Sequence, residues 1–214
     1  MLGVAASRSS DLWLANQDLA HACLRHSFVQ SLAHGSLPID CFRAYIAQDA
    51  YFLDAFARAY ALALARSPDR HGLDAFHALI GGVLEELGLH AAYAGRWQVD
   101  LSQTSPAEAT LAYTNFLMTT ASLRSVGEAC AAMTPCMRLY AYLGQQLSAV
   151  SAPNNPYQEW IATYASPDFE SLAARLESLL DRYATDDEAV NATYRRAMQL
   201  ELDFFDAHAP TASQ

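Results

Sequence analysis

Basic side chains are scarce in this sequence of 214 residues, in which 13 Lys and Arg residues stand against 23 Asp and Glu residues and the formal net charge is −10. Phosphate backbones are bound chiefly through Lys and Arg, so this balance argues against nucleic acid and against an anionic membrane surface as partners. Long apolar runs are missing too, because none approaches the roughly 20 residues that a membrane-spanning helix needs. We therefore expect neither a nucleic-acid-binding protein nor a membrane protein.

Secretory and disulfide-forming features are also missing. Residues 1–10 lack the basic start and the full apolar core of a signal peptide, and they predict a short tail of a cytoplasmic protein. The four cysteines, at positions 23, 41, 130 and 136, form no CxxC pair and no zinc-ligand spacing, so in a reducing compartment we expect free thiols. Apolar residues make up 52% of the chain and charged residues only 17%, which suggests surface that is buried against other subunits.

Strand alternation is absent, and helical periodicity dominates the sequence. Ser9 and Ser10 could cap a first helix that runs to about His34 and ends at Gly35. Ile39–Arg66 contains no glycine or proline, which predicts one very long helix or two in close succession. A segment that starts at 125 leads into a helix carrying Cys136, and further helices are predicted over 73–96, 107–120, 157–164, 166–183 and 185–208.

The order of these helices predicts the domain organisation. No internal repeat, low-complexity tract or long linker interrupts them. We therefore predict an all-α protein with one helical bundle domain over residues 9–208. Flexible tails are predicted at 1–8 and 209–214.

Two carboxylates stand on apolar helix stripes. Asp49 falls among large apolar residues spaced three and four apart, and Glu201 does the same near the C-terminus. A buried carboxylate without a partner is costly, so each needs a hydrogen-bond partner or a raised pKa. Position alone favours two structural core carboxylates, and the alternative is that both face one shared cavity.

Cys136 lies on an apolar stripe of its own helix. A buried free cysteine usually behaves as a small hydrophobe, and position alone favours that interpretation. If a helix begins near Pro135, however, Cys136 lies in its first turn, where unpaired N–H groups and the helix dipole favour a thiolate. The other three cysteines lack this setting and are predicted to be packing residues.

One pair of residues has the spacing of metal ligands. Glu86 and His90 are four residues apart and could ligate a metal from one helix face, or they could make a hydrogen bond that supports another site. A carboxylate-bridged di-iron bundle needs a second such pair, which the sequence does not offer. We therefore expect no metal.

Three ordered blocks of the sequence resemble the TenA/thiaminase II family. The similarity spans roughly residues 10–208, and the set of motifs in this order is specific to that family. The blocks are His26–Leu37 with Phe42–Leu53, then Thr134-Pro-Cys136 with Tyr140 and Gly144, and finally Pro156-Tyr157 with Trp160 and Tyr164.

The resemblance implies a haem-oxygenase-like helical fold, a homotetramer and a cofactor-free aminopyrimidine aminohydrolase of thiamin salvage. Its substrate would be 4-amino-5-aminomethyl-2-methylpyrimidine, hydrolysed to the 5-hydroxymethyl compound and ammonia, and thiamin would also be cleaved. Cys136 would be the nucleophile, Glu201 would move protons at the ring, and Asp49 would bind a ring nitrogen and the exocyclic amine. The other substrate-binding residues that the resemblance implies are Tyr51, Phe52, Tyr113, Tyr140 and Tyr164.

Two positions depart from the family pattern. The family usually carries an aromatic pair after the cysteine, where this sequence has Met137 and Arg138, and some relatives place a hydroxyl at the position of Phe52. We expect Arg138 to be exposed. If it faced the pocket instead, it would favour a substrate with a phosphate or another anionic group.

Two other functions fit the same fold. One is a pyrimidine-binding or regulatory protein without turnover. The other is a haem or di-iron oxidase, in which His21 and His26 could be haem ligands, although an ordinary surface or core histidine is the simpler interpretation of each.

Overall fold

The computed structural model describes residues 7–101 and 104–210, and no β-strand occurs in these ranges. The predicted all-α fold is confirmed, with ten α-helices in the described residues. They are α1 (Arg8–Ala15), α2 (Gln17–Arg25), α3 (Ser27–Ala33), α4 (Ile39–Ala65), α5 (Arg70–Trp97), α6 (Glu108–Leu123), α7 (Val126–Ser148), α8 (Gln158–Tyr164), α9 (Pro167–Tyr183) and α10 (Glu188–Ala207).

The domain boundaries stay a prediction. Residues 1–6 and 211–214, which form most of the two predicted tails, lie outside the described residues. Within the predicted N-terminal tail, α1 already begins at Arg8, and its cap is Ser7 rather than Ser9 or Ser10.

The prediction of one first helix from Ser9 to His34 is wrong, because polar residues break it into α1, α2 and α3. The Asn16 side chain donates to the carbonyl of Leu12 at 2.8 Å, and the Asn16 backbone leaves the helical region. His26 adopts an extended backbone, and its Nδ1 accepts from the N–H of Phe28 at 3.2 Å. Such side-chain bonds to nearby backbone compete with helix continuation.

The helix α7 forms the centre of the bundle. It packs against α4, α6, α8, α9 and α10, and almost all of its residues are buried. A capping box fixes its start, since the Ser125 side chain accepts from the N–H of Glu128 and the Glu128 side chain accepts from the N–H of Ser125. Around it, the 27-residue α4 is one continuous helix that packs on α5 and α6.

Close backbone contact brings the end of α8 onto α7 at Gly144. A Cβ atom at this position would lie 2.4 Å from the carbonyl carbon of Tyr164 and 2.5 Å from the nitrogen of Ala165. The absence of a side chain at Gly144 therefore sets the distance between the two helices.

The helices were also compared with the length and apolarity of membrane-spanning helices. None in the described ranges combines the length and the apolarity needed to cross a bilayer.

Candidate active site

Side chains from α4, α5, α7, α8 and α9 line one largely enclosed cavity inside the bundle. Asp49 on α4 and Glu86 on α5 bring two carboxyl groups to it, and Cys136 on α7 brings a thiol. Two hydroxyl groups come from Tyr140 and Tyr164. The other lining residues are apolar: Phe52, Leu53, Phe56, Met137 and Phe169.

The cavity is small. Its volume is only about 10 Å³, which is room for about one water molecule. A ring-shaped ligand therefore enters only if lining side chains move. Met137 is suited to this, because an unbranched thioether side chain adapts easily to a new shape.

Glu201 on α10 joins the site through hydrogen bonds. The Tyr113 hydroxyl donates to Glu201 Oε1 at 2.6 Å, and the Cys136 thiol is hydrogen-bonded to the same carboxyl group. Asp49 and Glu201 are only 4% and 2% exposed, and the charge of Asp49 acts on both Glu201 and Cys136. The two carboxylates found on apolar stripes thus converge with the thiol.

Burial decides the protonation of this group. Removal from water, with the charge of Asp49, raises the pKa of Glu201 to about 8, while its hydrogen bonds with Tyr113 and Cys136 oppose the shift. Removal from water, followed by the charges of Glu201, Glu86 and Asp49, raises the pKa of the Cys136 thiol well above its usual value. At neutral pH the resting site therefore holds a neutral thiol beside a mostly protonated Glu201.

The predicted helix start near Pro135 is wrong, and the helix dipole does not activate Cys136. Pro135 lies inside α7, which begins at Val126, so Cys136 is in the middle of the helix, far from the unpaired N–H groups of the first turn. A thiolate at this position has to form by proton transfer to a neighbouring group.

The predicted aromatic residues divide into three groups. Tyr140, Tyr164 and Phe52 line the cavity, and the Tyr140 hydroxyl accepts from that of Tyr45 at 3.1 Å. Tyr113 lies behind the cavity, where it holds Glu201 and packs on Phe52 with ring centroids 4.7 Å apart. Tyr51 does not join them.

Tyr51 lies on the outer face of α4, where it is 39% exposed and lines a separate open groove with Asp54 and Arg58. The reason is helix geometry, since two positions after Asp49 the side chain points to nearly the opposite face. The structure therefore gives no support to Tyr51 as a substrate-binding residue.

Arg138 points away from the cavity and is not exposed as predicted. Its guanidinium is partly buried between α7 and α9, where it donates to Glu177 at 2.7 and 2.8 Å and to Glu170 at 3.0 Å. With its charge engaged there, Arg138 provides no cation for an anionic substrate.

Glu86 lines the cavity itself, whereas its spacing from His90 predicted either a metal ligand or a hydrogen bond that supports another site. It follows Leu79 and Val83 on the buried face of α5, so the criterion that singled out Asp49 would also have found Glu86. Its Oε1 accepts from the Tyr164 hydroxyl at 2.6 Å. The side chain of His90 lies outside the described residues.

Both ring nitrogens of His26 are engaged within the protein. Its Nε2 pairs with Asp206 Oδ1 at 2.8 Å, and its Nδ1 accepts from Phe28. His21 is exposed on α2. Neither arrangement favours the two histidines as haem ligands.

Glu201 makes the stability of the protein depend on pH. Its folded-state pKa of about 8 lies above the usual value of 4.5, so the folded protein binds the extra proton between these two pH values. The stabilisation is complete below about pH 4.5 and is lost as the pH rises towards 8. The slope is about 1.4 kcal/mol per pH unit.

We expect Glu201→Gln to remove this slope. Urea unfolding at pH 5.5, 6.5 and 7.5 should show the wild type losing stability relative to the variant with each step. Equal pH dependence of the two proteins would contradict a raised pKa at Glu201. Asp203→Asn, on the same helix but partly exposed, is the control and should leave the slope in place.

An all-helical bundle with a thiol and three neighbouring carboxyl groups at or beside one buried cavity has the arrangement of a binding site for a small polar molecule. The model of the TENA/THI-4/PQQC family matches residues 13–209. The chain belongs to this family.

Curated relatives carry more specific names. The chain is 38% identical to the mitochondrial bifunctional TH2 protein of Arabidopsis thaliana over 84% of the chain, but it spans only 34% of that protein. It is 33% identical to the aminopyrimidine aminohydrolase of Halalkalibacterium halodurans, over 92% of this chain and 89% of that protein. The chain thus spans about a third of the plant relative and nearly all of the bacterial one.

Solved structures share the fold. A TenA family transcription regulator from Silicibacter sp. TM1040 superposes with a TM-score of 0.89 at 25% identity, covering 95% of this chain and 97% of that one. A TenA homologue from Pyrococcus furiosus superposes with a TM-score of 0.87 at 23% identity, covering 94% and 98%. The second likeness supports the fold alone.

Proposed function

We propose that this protein is an aminopyrimidine aminohydrolase of the thiaminase II type that acts in thiamin salvage in the cytoplasm. It hydrolyses 4-amino-5-aminomethyl-2-methylpyrimidine to the 5-hydroxymethyl pyrimidine and ammonia. The observation that carries the proposal is that Cys136 and Asp49 line one buried cavity, while Glu201 is hydrogen-bonded to the Cys136 thiol. The likeness to named aminopyrimidine aminohydrolases over most of the chain supports it.

Asp49 binds and orients the pyrimidine. An aminopyrimidine presents a ring nitrogen next to an exocyclic amine, and a buried carboxyl group matches this edge with two hydrogen bonds. In this orientation N3 and the 4-amino group face Asp49. The ring then lies between the apolar side chains of the cavity, among them Phe52 and Met137.

Cys136 and Glu201 carry out the addition to the ring. Since both are protonated at rest, Glu201 gives its proton to N1 of the ring and receives the thiol proton, while the sulfur bonds to C6. The 4-amino group then supplies electrons, and the C–N bond between the 5-methylene and the protonated amine breaks with its electron pair on nitrogen, so that neutral ammonia leaves. The exocyclic carbon is now a methylene group that is joined to C5 by a double bond.

Water completes the reaction. It adds to the exocyclic carbon and loses a proton to the released ammonia, which becomes an ammonium ion. Glu201 gives the former thiol proton to the sulfur as it leaves C6 with its bonding electrons, and Glu201 takes back the N1 proton. The net change is the exchange of an amine for a hydroxyl group, with Cys136 restored.

Ammonia release from 4-amino-5-aminomethyl-2-methylpyrimidine by the purified protein tests the proposed function. We expect turnover, with the 5-hydroxymethyl pyrimidine formed in equal amount. Tight binding of the hydroxymethyl compound without hydrolysis of any pyrimidine tested would instead support a pyrimidine-binding protein.

A homotetramer is part of the proposal. Its support in this chain is exposed apolar surface on two adjacent helices: Tyr51 on α4 is 39% exposed, and Leu111 and Leu123 on α6 are 39% and 75% exposed. We expect light scattering to give a mass about four times the 23.4 kDa of one chain. A monomer mass would contradict it.

A further inference from the structure

We infer that Glu86 is a third substrate-binding carboxylate of this site, and that it holds the 5-aminomethyl group of the substrate as an ammonium ion. The inference rests on the proposed function and assigns a specificity role within it. It adds to the thiol, Asp49 and Glu201 a group that recognises the part of the molecule that leaves.

The first support for this role is the position of Glu86 at the cavity. Its side chain lines the enclosed cavity together with Asp49 and Cys136, and its charge acts on the Cys136 thiol, as the charge of Glu201 does. The carboxyl group is held in place, because Oε1 accepts from the Tyr164 hydroxyl at 2.6 Å. A carboxylate accepts up to about four hydrogen bonds, so this bond is compatible with a further donor from a ligand.

The second support is the direction in which the 5-substituent of the bound ring points. In the proposed orientation C6 meets the Cys136 sulfur, N1 faces Glu201 and the 4-amino group faces Asp49. C5 lies between C4 and C6, so its substituent points to the side of Cys136 that is opposite Glu201. Glu86 is the remaining carboxyl group among the residues that line the cavity.

The third support is the charge of the side chains that line the cavity. A primary aminomethyl group is protonated at neutral pH, and an ammonium ion taken out of water needs a charged partner. None of the residues that line the cavity in the described part of the chain is a lysine, arginine or histidine. The site therefore favours a cationic 5-substituent and disfavours a phosphate at the same position.

The route into the cavity agrees with this role. Glu86 and Phe169 also line an open groove on the outside of the bundle, with Glu85, Asp168 and Ser166 beside them. The wall between cavity and groove therefore includes Glu86. A cationic group that enters through this wall, or leaves through it as ammonia, passes the Glu86 carboxyl group.

The matched variants are Glu86→Gln and Glu85→Gln. Glutamine keeps the size and the hydrogen-bonding ability of Glu86 but removes the charge. Glu85 lies next to it on α5 and lines only the outer groove, where it is exposed. The readouts are KM and kcat for ammonia release from the aminomethyl pyrimidine, and the calorimetric Kd of the neutral hydroxymethyl pyrimidine.

We expect Glu86→Gln to raise KM for the aminomethyl pyrimidine by on the order of 10- to 100-fold, the usual effect of losing a hydrogen bond to a charged partner. The Kd of the hydroxymethyl pyrimidine should change by less than about threefold, because a neutral group gains little from the charge. Glu85→Gln should leave both constants unchanged. Glu86→Asp, which keeps the charge on a shorter side chain, should recover part of the preference for the aminomethyl pyrimidine over the hydroxymethyl pyrimidine.

Several results would overturn the inference. Equal weakening of both ligands in Glu86→Gln, with an unchanged melting temperature, would indicate a general structural role. No effect on either ligand would exclude contact with the substituent, and an equal effect of Glu85→Gln would indicate only a general attraction of cations. If the wild type releases no ammonia, the proposed function fails, and the calorimetric Kd of the unreacted aminomethyl compound still tests Glu86.

Discussion

Cys136→Ser is expected to lower kcat for ammonia release by at least about 10³-fold, the usual consequence of losing an attacking nucleophile. A serine hydroxyl is a much weaker nucleophile than a thiol at neutral pH, and it occupies nearly the same volume. The pyrimidine should therefore still bind. Steady-state ammonia assays and the Kd of the hydroxymethyl pyrimidine together separate these two effects.

The matched control is Cys130→Ser. Cys130 lies on the same helix and is fully buried, and burial alone raises the pKa of its thiol, without a contribution from the site carboxylates. We expect this variant to lose some stability and to keep its kcat. Undiminished turnover in Cys136→Ser, or an equal loss in Cys130→Ser, would remove Cys136 from the role of nucleophile.

Gly144→Ala is expected to cost about 3 kcal/mol of folding free energy, the upper end of the effect of overpacking a core. The added Cβ would lie 2.4 Å from the carbonyl carbon of Tyr164, and because this is backbone, no side-chain rotation relieves the contact. The end of α8 has to move, and Tyr164, a wall residue of the cavity, moves with it. We therefore expect lower ammonia release as well.

Gly81→Ala is the control for this prediction. Gly81 lies inside α5, and nothing lies within 4 Å of an added Cβ, so the helix preference of alanine should stabilise the protein by up to about 1 kcal/mol. Chemical denaturation of both variants measures the two effects. A Gly144→Ala protein as stable as the wild type would show that the packing of α7 on α8 is less tight than the structure indicates.

Several site residues could be found from the sequence because their positions break a pattern. Asp49 and Glu201 interrupt apolar stripes, and a stripe predicts which side chains point inward whatever their polarity. Glu86 follows the same rule on α5, next to Leu79 and Val83. The apolar stripe of α5 alone therefore predicts that Glu86 points inward.

Two competing local signals explain the misplaced start of α7. Pro135 by itself predicts a helix start, although proline also occurs inside longer helices when tertiary packing outweighs its cost. The sequence Ser125-Val-Gly-Glu128 is a capping box, which is the stronger signal for a helix start. It would have placed Cys136 in the middle of α7 and excluded activation by the dipole.

The environment of Arg138 could not be predicted from nearby residues. Its partners Glu170 and Glu177 lie 32 and 39 positions away in the sequence, on a helix whose packing against α7 is a property of the whole bundle. The exposed position of Tyr51 was different, since the angle between neighbouring positions on a helix already separates it from Asp49.

The near absence of free space in the cavity has a consequence for the timing of catalysis. A pyrimidine fits a chamber with room for about one water molecule only after side chains of its wall have moved, and the apparent affinity of a ligand falls in proportion to the fraction of molecules whose chamber is open. Such motions commonly take microseconds to milliseconds, and release of the product rather than bond cleavage is then often the slowest step. Where such a motion is the slowest step, the turnover number measures how often the bundle opens rather than how fast bonds break.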